Sequence, residues 1–180
     1  IGLSLVGSEM CIRDRLIQVQ MELKLIPEYI FITHGHIDHA GAAKELATKL
    51  KLNIIGPHID DSFLLESLEI QGQMYGMSAQ NFTPDKWLKH EDSISFGNQT
   101  LEIKHCPGHA PGHVIGINHK AKKIIAGDVL FNGSIGRTDL PRGNHQDLID
   151  SINHHLLTLD DTYIVHCGHG PDTSIGHERK

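Results

Sequence analysis

Cysteine, aromatic residues and basic charge are all scarce in this sequence, and each shortage removes a class of protein. The 3 cysteines have no paired spacing and no zinc-finger pattern, which argues against a disulfide scaffold and suits a reducing compartment, with the cytoplasm as the expected location. Aromatics make up 5% of the chain, and 16 Lys and Arg face 22 Asp and Glu for a formal net charge of -6. Neither a basic surface nor a stacking platform is available to grip a nucleic acid, so no nucleic-acid partner is expected. No apolar run approaches the roughly 20 residues that span a bilayer, so no membrane partner is expected and the protein should be soluble. Internal repeats and low-complexity tracts are absent as well, and 180 residues with 39% hydrophobic content fit one domain with a sizeable core.

Histidine, in contrast, is abundant: 15 residues, of the type that most often ligates transition metals. The first fifteen positions stand apart. Back-translating Glu9 to Arg15 with suitable codons gives a sequence like a library-preparation adapter, so residues 1–15 are expected to be an adapter-derived, non-native tail that takes Cys11 with it. From there, helical spacing predicts a helix from Leu16 to Leu25, stopped by Pro27, and Tyr29 to Thr33 is a short buried strand. A second helix is expected from His39 to Lys51 with Asp38 as its cap, then a brief strand at Asn53 to Gly56 and a helix around Asp60 to Ile70. The Gly-, Met- and Gln-rich remainder of residues 58–92 gives no clear pattern. Strands follow at Thr100 to Lys104, Val114 to Asn118 and Lys123 to Ala126. A helix from Asp147 to Leu159 presents Leu148, Ile152 and Leu156 on one face, ahead of a last strand at Tyr163 to Val165.

The ends of these strands carry the chemistry. His34, His36, Asp38 and His39 fall within six residues between a strand and a helix. His109 in Pro107-Gly108-His109, Asp128 in Gly127-Asp128 and His169 in Gly168-His169 each follow a strand in the same manner, with glycine beside them to let backbone pass close to a crowded site.

Thr33-His34-Gly35-His36-Ile37-Asp38-His39 resembles the THxHxDH signature of the metallo-β-lactamase superfamily, and the later motifs follow in that family's order across residues 26–178. Pro107 to His113, Gly127 to Phe131, Ser134 to Pro141 and Gly168 to Pro171 are similar to compact glyoxalase II-like hydrolases. The resemblance implies an α/β fold, an αβ/βα sandwich of two mixed sheets flanked by helices, occupying residues 16–180. It implies one metal ion on His34, His36 and His109, a second on Asp38, His39 and His169, and Asp128 bridging them, with Asp38 and Asp128 as the catalytic carboxylates. A water or hydroxide between two divalent ions, zinc by preference with iron or manganese as alternatives, would be the nucleophile.

Such a site needs no serine or cysteine nucleophile. A thiolate leaving group departs without prior protonation, so a small-molecule thioester such as an acyl-glutathione is the expected substrate. Persulfide dioxygenases share the His-rich loop and a Gly-Arg-Thr-Asp stretch but use one iron, whereas all seven ligand positions are filled here. A nuclease and a non-catalytic binding module of the same fold rank below. Arg137 and Asp139 are candidates either to position substrate or to tie two loops together. His113 is expected to support the site by hydrogen bonding rather than to ligate. His105, His166, His154 and His155 are expected to lie apart from the site, and Cys106 and Cys167 to be small buried neighbours of it. Two family features have no counterpart: the opening pair of strands with its Asp-Pro-Gly turn, and the long C-terminal helical region that contacts glutathione in two-domain members. The expectation is therefore an N-terminally incomplete domain with an exposed sheet edge and reduced stability.

Overall fold

The computed structural model describes residues 17–180. The expected adapter-derived tail, with Cys11, lies outside the described residues, as does Leu16 at the start of the first predicted helix. Residues 17–22 are helical (α1), and the chain then enters β1 (Tyr29–Phe31). Next come α2 (Ile37–Ala40), α3 (Ala43–Leu50) and β2 (Asn53–Ile55), which pairs parallel to β1 with Ile30 opposite Ile54. A 3-10 turn (Ile59–Asp61), α4 (Ser62–Leu65) and α5 (Leu68–Tyr75) lead to β3 (Ser93–Phe96) and β4 (Gln99–His105). The second half holds β5 (Val114–Asn118), β6 (Lys123–Gly127), β7 (Leu130–Phe131), β8 (Ser134–Ile135), α6 (His145–Ser151), β9 (Ile164–Cys167), β10 (Thr173–Ser174) and α7 (Ile175–Glu178).

Among the described residues the strands form a six-stranded mixed sheet, ordered β10-β9-β6-β5-β4-β3, the parallel β1-β2 pair and the small β7-β8 hairpin. Three apolar clusters hold these layers together. One packs α2, α3 and α5 on the β1-β2 pair around Ile32, Ala40, Ile54, Leu65 and Leu68. A second lies where the two sheets meet, around Ile55, Leu88, Ile103 and Val114, with Tyr29 and Phe31 against it. The third fills the other face of the large sheet, where Leu148, Ile152 and Leu156 meet Ile115, Ile124 and Val165. Flanking helices on mixed sheets agree with the α/β class read from the sequence.

Strand direction explains why the ligands can meet. β4 and β6 are each antiparallel to β5, and β9 is parallel to β6, so the C-terminal ends of β4, β6 and β9 lie along the same edge of the sheet. A hydrogen bond from Val114 N to Thr33 O at 2.8 Å brings the end of β1 to that edge.

Several local expectations need correction. Asp38 does not cap a helix: α2 begins at Ile37 with His36 at its N-cap, and Asp38 in the first turn faces histidines instead. The predicted His39–Lys51 helix breaks at Gly41 and Ala42, and α3 ends on Lys51 in the left-handed region at φ 56°. The Asp60–Ile70 helix is three pieces, with α5 running on through the Gly- and Met-containing stretch to Tyr75. The Asp147–Leu159 helix starts at His145 and widens into a π-helical turn over Ile152–Leu156 while keeping the expected face buried. β3 has no predicted counterpart, although Ser93-Ile94-Ser95-Phe96 alternates and Gly97-Asn98 turns it onto β4.

Candidate metal centre

All seven predicted ligand positions come together. The loop after β1 supplies His34 and His36, α2 supplies Asp38 and His39, and the loops after β4, β6 and β9 supply His109, Asp128 and His169. Two triads, His34/His36/His109 and Asp38/His39/His169, each place three donor atoms within 4.8 Å of one another. Asp128 sits between them: one carboxylate oxygen is 3.2 Å from His39 Nε2, and the other is 3.5 Å from His109 Nε2 and 3.2 Å from His169 Nε2.

Tautomers can be read from the partners. His109 Nδ1 lies 2.8 Å from the Arg137 carbonyl, which can only accept, so Nδ1 carries the proton and Nε2 presents a lone pair. That lone pair faces His36 Nδ1 at 2.9 Å. His34 Nδ1 is occupied by Thr33 Oγ1 at 3.1 Å, and its buried Nε2 has no hydrogen-bond partner. A buried imidazole nitrogen left without a partner is costly unless a cation joins it to its neighbours, and the donor set of imidazoles and carboxylates fits a divalent metal.

Electrostatics point the same way. Burial, reinforced by neighbouring imidazoles, pushes the pKa of His34 far down and that of His36 to about 4, so these rings are neutral and available as ligands at neutral pH. Burial alone would raise the Asp128 carboxyl, but the hydrogen bond and charge of His39, with His109 and His169, hold it at about 2. Asp128 is therefore an anion in the middle of the cage. Asp38 and His169 are the open members, with side-chain exposures of 38% and 40%, and mark the mouth.

Neighbouring groups hold the cage in shape. His113 Nε2 accepts from Asp128 N at 3.0 Å, and its ring stacks on His34 at 4.5 Å, so it supports the site as expected. A side chain at Gly168 would displace Asp128, because a Cβ there would sit 2.0 Å from Asp128 Oδ1. Asp61 went unread in the sequence. It is fully buried and accepts from Gly35 N at 2.8 Å and Gly112 N at 2.5 Å, thereby tying the His34/His36 loop to the His109 loop. No motif marks it, since its partners are 26 and 51 residues away.

The remaining candidates fall outside the cage. The Arg137 and Asp139 side chains form a bidentate pair at 2.7 and 2.6 Å within a single exposed loop, and it is the Arg137 carbonyl that ties this loop to His109. His166 pairs with Asp172 and His154 bonds the Asp150 carbonyl, both away from the seven. Burial drives the Cys106 thiol well up and that of Cys167 to about 11, so neither is a ready nucleophile.

A fold of this kind with such donors at its strand ends defines a divalent-metal centre. A profile of the Metallo-beta-lactamase superfamily matches residues 26–169, and the chain belongs to that superfamily. It is 45% identical over 169 residues to the hydroxyacylglutathione hydrolase GloC of Haemophilus influenzae, covering 93% of this chain and 80% of the relative. Among solved structures, TTHA1623 in a di-iron-bound form superposes with a TM-score of 0.84 at 34% identity, covering 93% of this chain and 82% of that one. ETHE1 from Myxococcus xanthus superposes at 0.74 with 25% identity, covering 93% and 66%. Family and relatives support a metal-dependent hydrolase. Among the described residues no helix is long and apolar enough to cross a membrane.

Proposed function

We propose that the chain hydrolyses thioesters of the acyl-glutathione class at a two-metal centre. The observation that carries this reading is the sharing of Asp128 between two complete three-donor triads. His34, His36 and His109 would hold one ion and Asp38, His39 and His169 the other, zinc by preference, although the same donors suit iron or manganese. When bound, the ions supply Lewis acidity, bringing the pKa of water to about 7 and polarising a carbonyl.

The side chains supply the rest. Asp128, ionised throughout the neutral range, and Asp38 at the mouth are the carboxylates that border the reacting space, which makes them the catalytic pair. Three of the five rings offer no ready proton to a leaving group: His109 commits its proton to the Arg137 carbonyl, and burial holds His34 and His36 neutral. A leaving group that departs as an anion is therefore favoured, and a thiol with a pKa of about 8.5 meets that need better than an alcohol or an amine. The GloC relative supports the same substrate class. Arg137, exposed beside Asp139, is available to exchange that partner for a substrate carboxylate.

Single-metal persulfide dioxygenase chemistry is the second reading, and the ETHE1 likeness favours it. The complete Asp38/His39/His169 triad weighs against it. The test is to count bound zinc, iron and manganese and to assay S-lactoylglutathione and a glutathione persulfide with and without chelator. Two ions and chelator-sensitive thioester turnover are expected. One iron with persulfide oxidation, or two ions without thioester turnover, overturns the proposal.

A further inference from the structure

A second cluster of histidines lies outside the cage. His58, at the N-cap of the 3-10 turn, Asp60 within that turn and His105 at the end of β4 place one donor atom each within 4.8 Å of one another. The His58 and His105 rings lie 4.2 Å apart and nearly parallel. The geometry points to a peripheral site for one divalent transition metal, zinc-like in preference, formed by His58, Asp60 and His105.

The hydrogen bonds prepare these groups for that role. His105 Nε2 meets the Pro111 carbonyl at 2.8 Å; because a carbonyl only accepts, the proton is on Nε2 and Nδ1 is left with a lone pair. His58 Nδ1 sits 3.4 Å from Asp60 N and 3.1 Å from the Asp60 carboxylate, so ring and carboxylate are already held against each other by a hydrogen bond whose proton an ion would replace. Ligand atoms around tetrahedral zinc stand roughly 3.3 Å apart, so the His58–Asp60 spacing is already that of a ligand pair. Burial and the neighbouring His105 lower the His58 pKa, which keeps its ring unprotonated at neutral pH. Two imidazoles and a carboxylate form a borderline donor set that selects zinc-class ions over magnesium or calcium.

Placement gives the site a purpose. His58 N donates to Gly112 O at 3.0 Å, and the next residue after Asp60 is Asp61, which holds Gly35 and Gly112. An ion here pins the 58–60 turn to the strand that feeds the His109 loop, bracing the main centre from behind. The inference does not depend on which substrate that centre takes.

The experiment uses protein whose main centre is loaded with zinc, dialysed against graded zinc beside the Asp60→Asn and His58→Gln variants. Asp60 is 51% exposed, so its replacement leaves the fold intact, which equal thermal midpoints before zinc addition will verify. Wild type should hold one zinc more per chain than either variant, whose affinity for it falls by about ten-fold or more, and imidazole nitrogen NMR signals of His58 and His105 should shift as it binds. Equal zinc content in all three proteins overturns the proposal, as does an extra ion that shifts only His154 and His155.

Discussion

Replacing Asp61 by asparagine removes one acceptor from a carboxylate that serves two backbone donors, Gly35 N and Gly112 N. Burial raises this carboxyl to about 6, against the pull of those two donors, so at pH 7.5 it is ionised and both bonds are charge-assisted. Asparagine keeps one oxygen and turns an amide N–H₂ toward the other donor. The loss is one bond to a charged group, about 1.5–3 kcal/mol, with an added penalty for the unsatisfied buried N–H; a total near 3 kcal/mol follows. With a urea slope of about 2 kcal/mol/M, the unfolding midpoint of the metal-free protein should fall by about 1.5 M at pH 7.5. The two loops so released carry His34, His36 and His109, and loss of such an orienting group typically costs about 10–100-fold in metal affinity. Chelator competition on the loaded protein measures that directly. A midpoint within about 0.3 M of wild type together with unchanged metal retention would refute the assignment of Asp61 as the tie between the loops.

Three further outcomes follow from the cage. Metal-free protein should lose stability as pH falls below the ordinary histidine value: His36 titrates at about 4 when folded and at 6.5 when unfolded, so the unfolded chain takes up the proton first. That group alone removes about 1.4 kcal/mol per pH unit between those values, and a urea midpoint unchanged from pH 7 to 5 would contradict it. Gly168→Ala drives a methyl into Asp128 Oδ1, so bound metal should fall by at least about ten-fold; wild-type metal content in elemental analysis would show the contact to be harmless. His169→Ala takes one donor from the exposed triad only, so the protein should retain one ion of two and lose about 100-fold or more in hydrolysis, and a variant still holding two ions would remove His169 from the ligand set.

The donor positions were legible because His109, Asp128 and His169 each follow a glycine just beyond a strand, while His34 to His39 crowd four donors into six residues between a strand and a helix, and such patterns survive without knowledge of how strands pair. The middle of the large sheet was legible for a related reason: β5 is buried on both faces and β6 nearly so, and their bounds agree to within one residue with those read from the sequence, whereas β3 and β10 had no predicted counterpart. Asp38 was read as a cap because a carboxylate ahead of a helical pattern looks like one, whereas His169 opposite it lies 131 residues further on. Asp61 and the His58–His105 pair were invisible for the same cause. Their partners are set by how the turn after β2 packs on the end of β4, which no local pattern records. The break between α2 and α3 escaped notice because Gly41-Ala42 sits inside an otherwise regular apolar repeat.

Each triad draws its donors from both layers: His34 and His36 from the β1 side meet His109 from the six-stranded sheet, and Asp38 and His39 meet His169 in the same way. Ions seated there rivet one half of the molecule to the other, so the free energy of ligation is also cohesion between the halves. Catalyst and fastener would then be the same atoms, and a cell short of metal would hold a looser protein as well as an idle one.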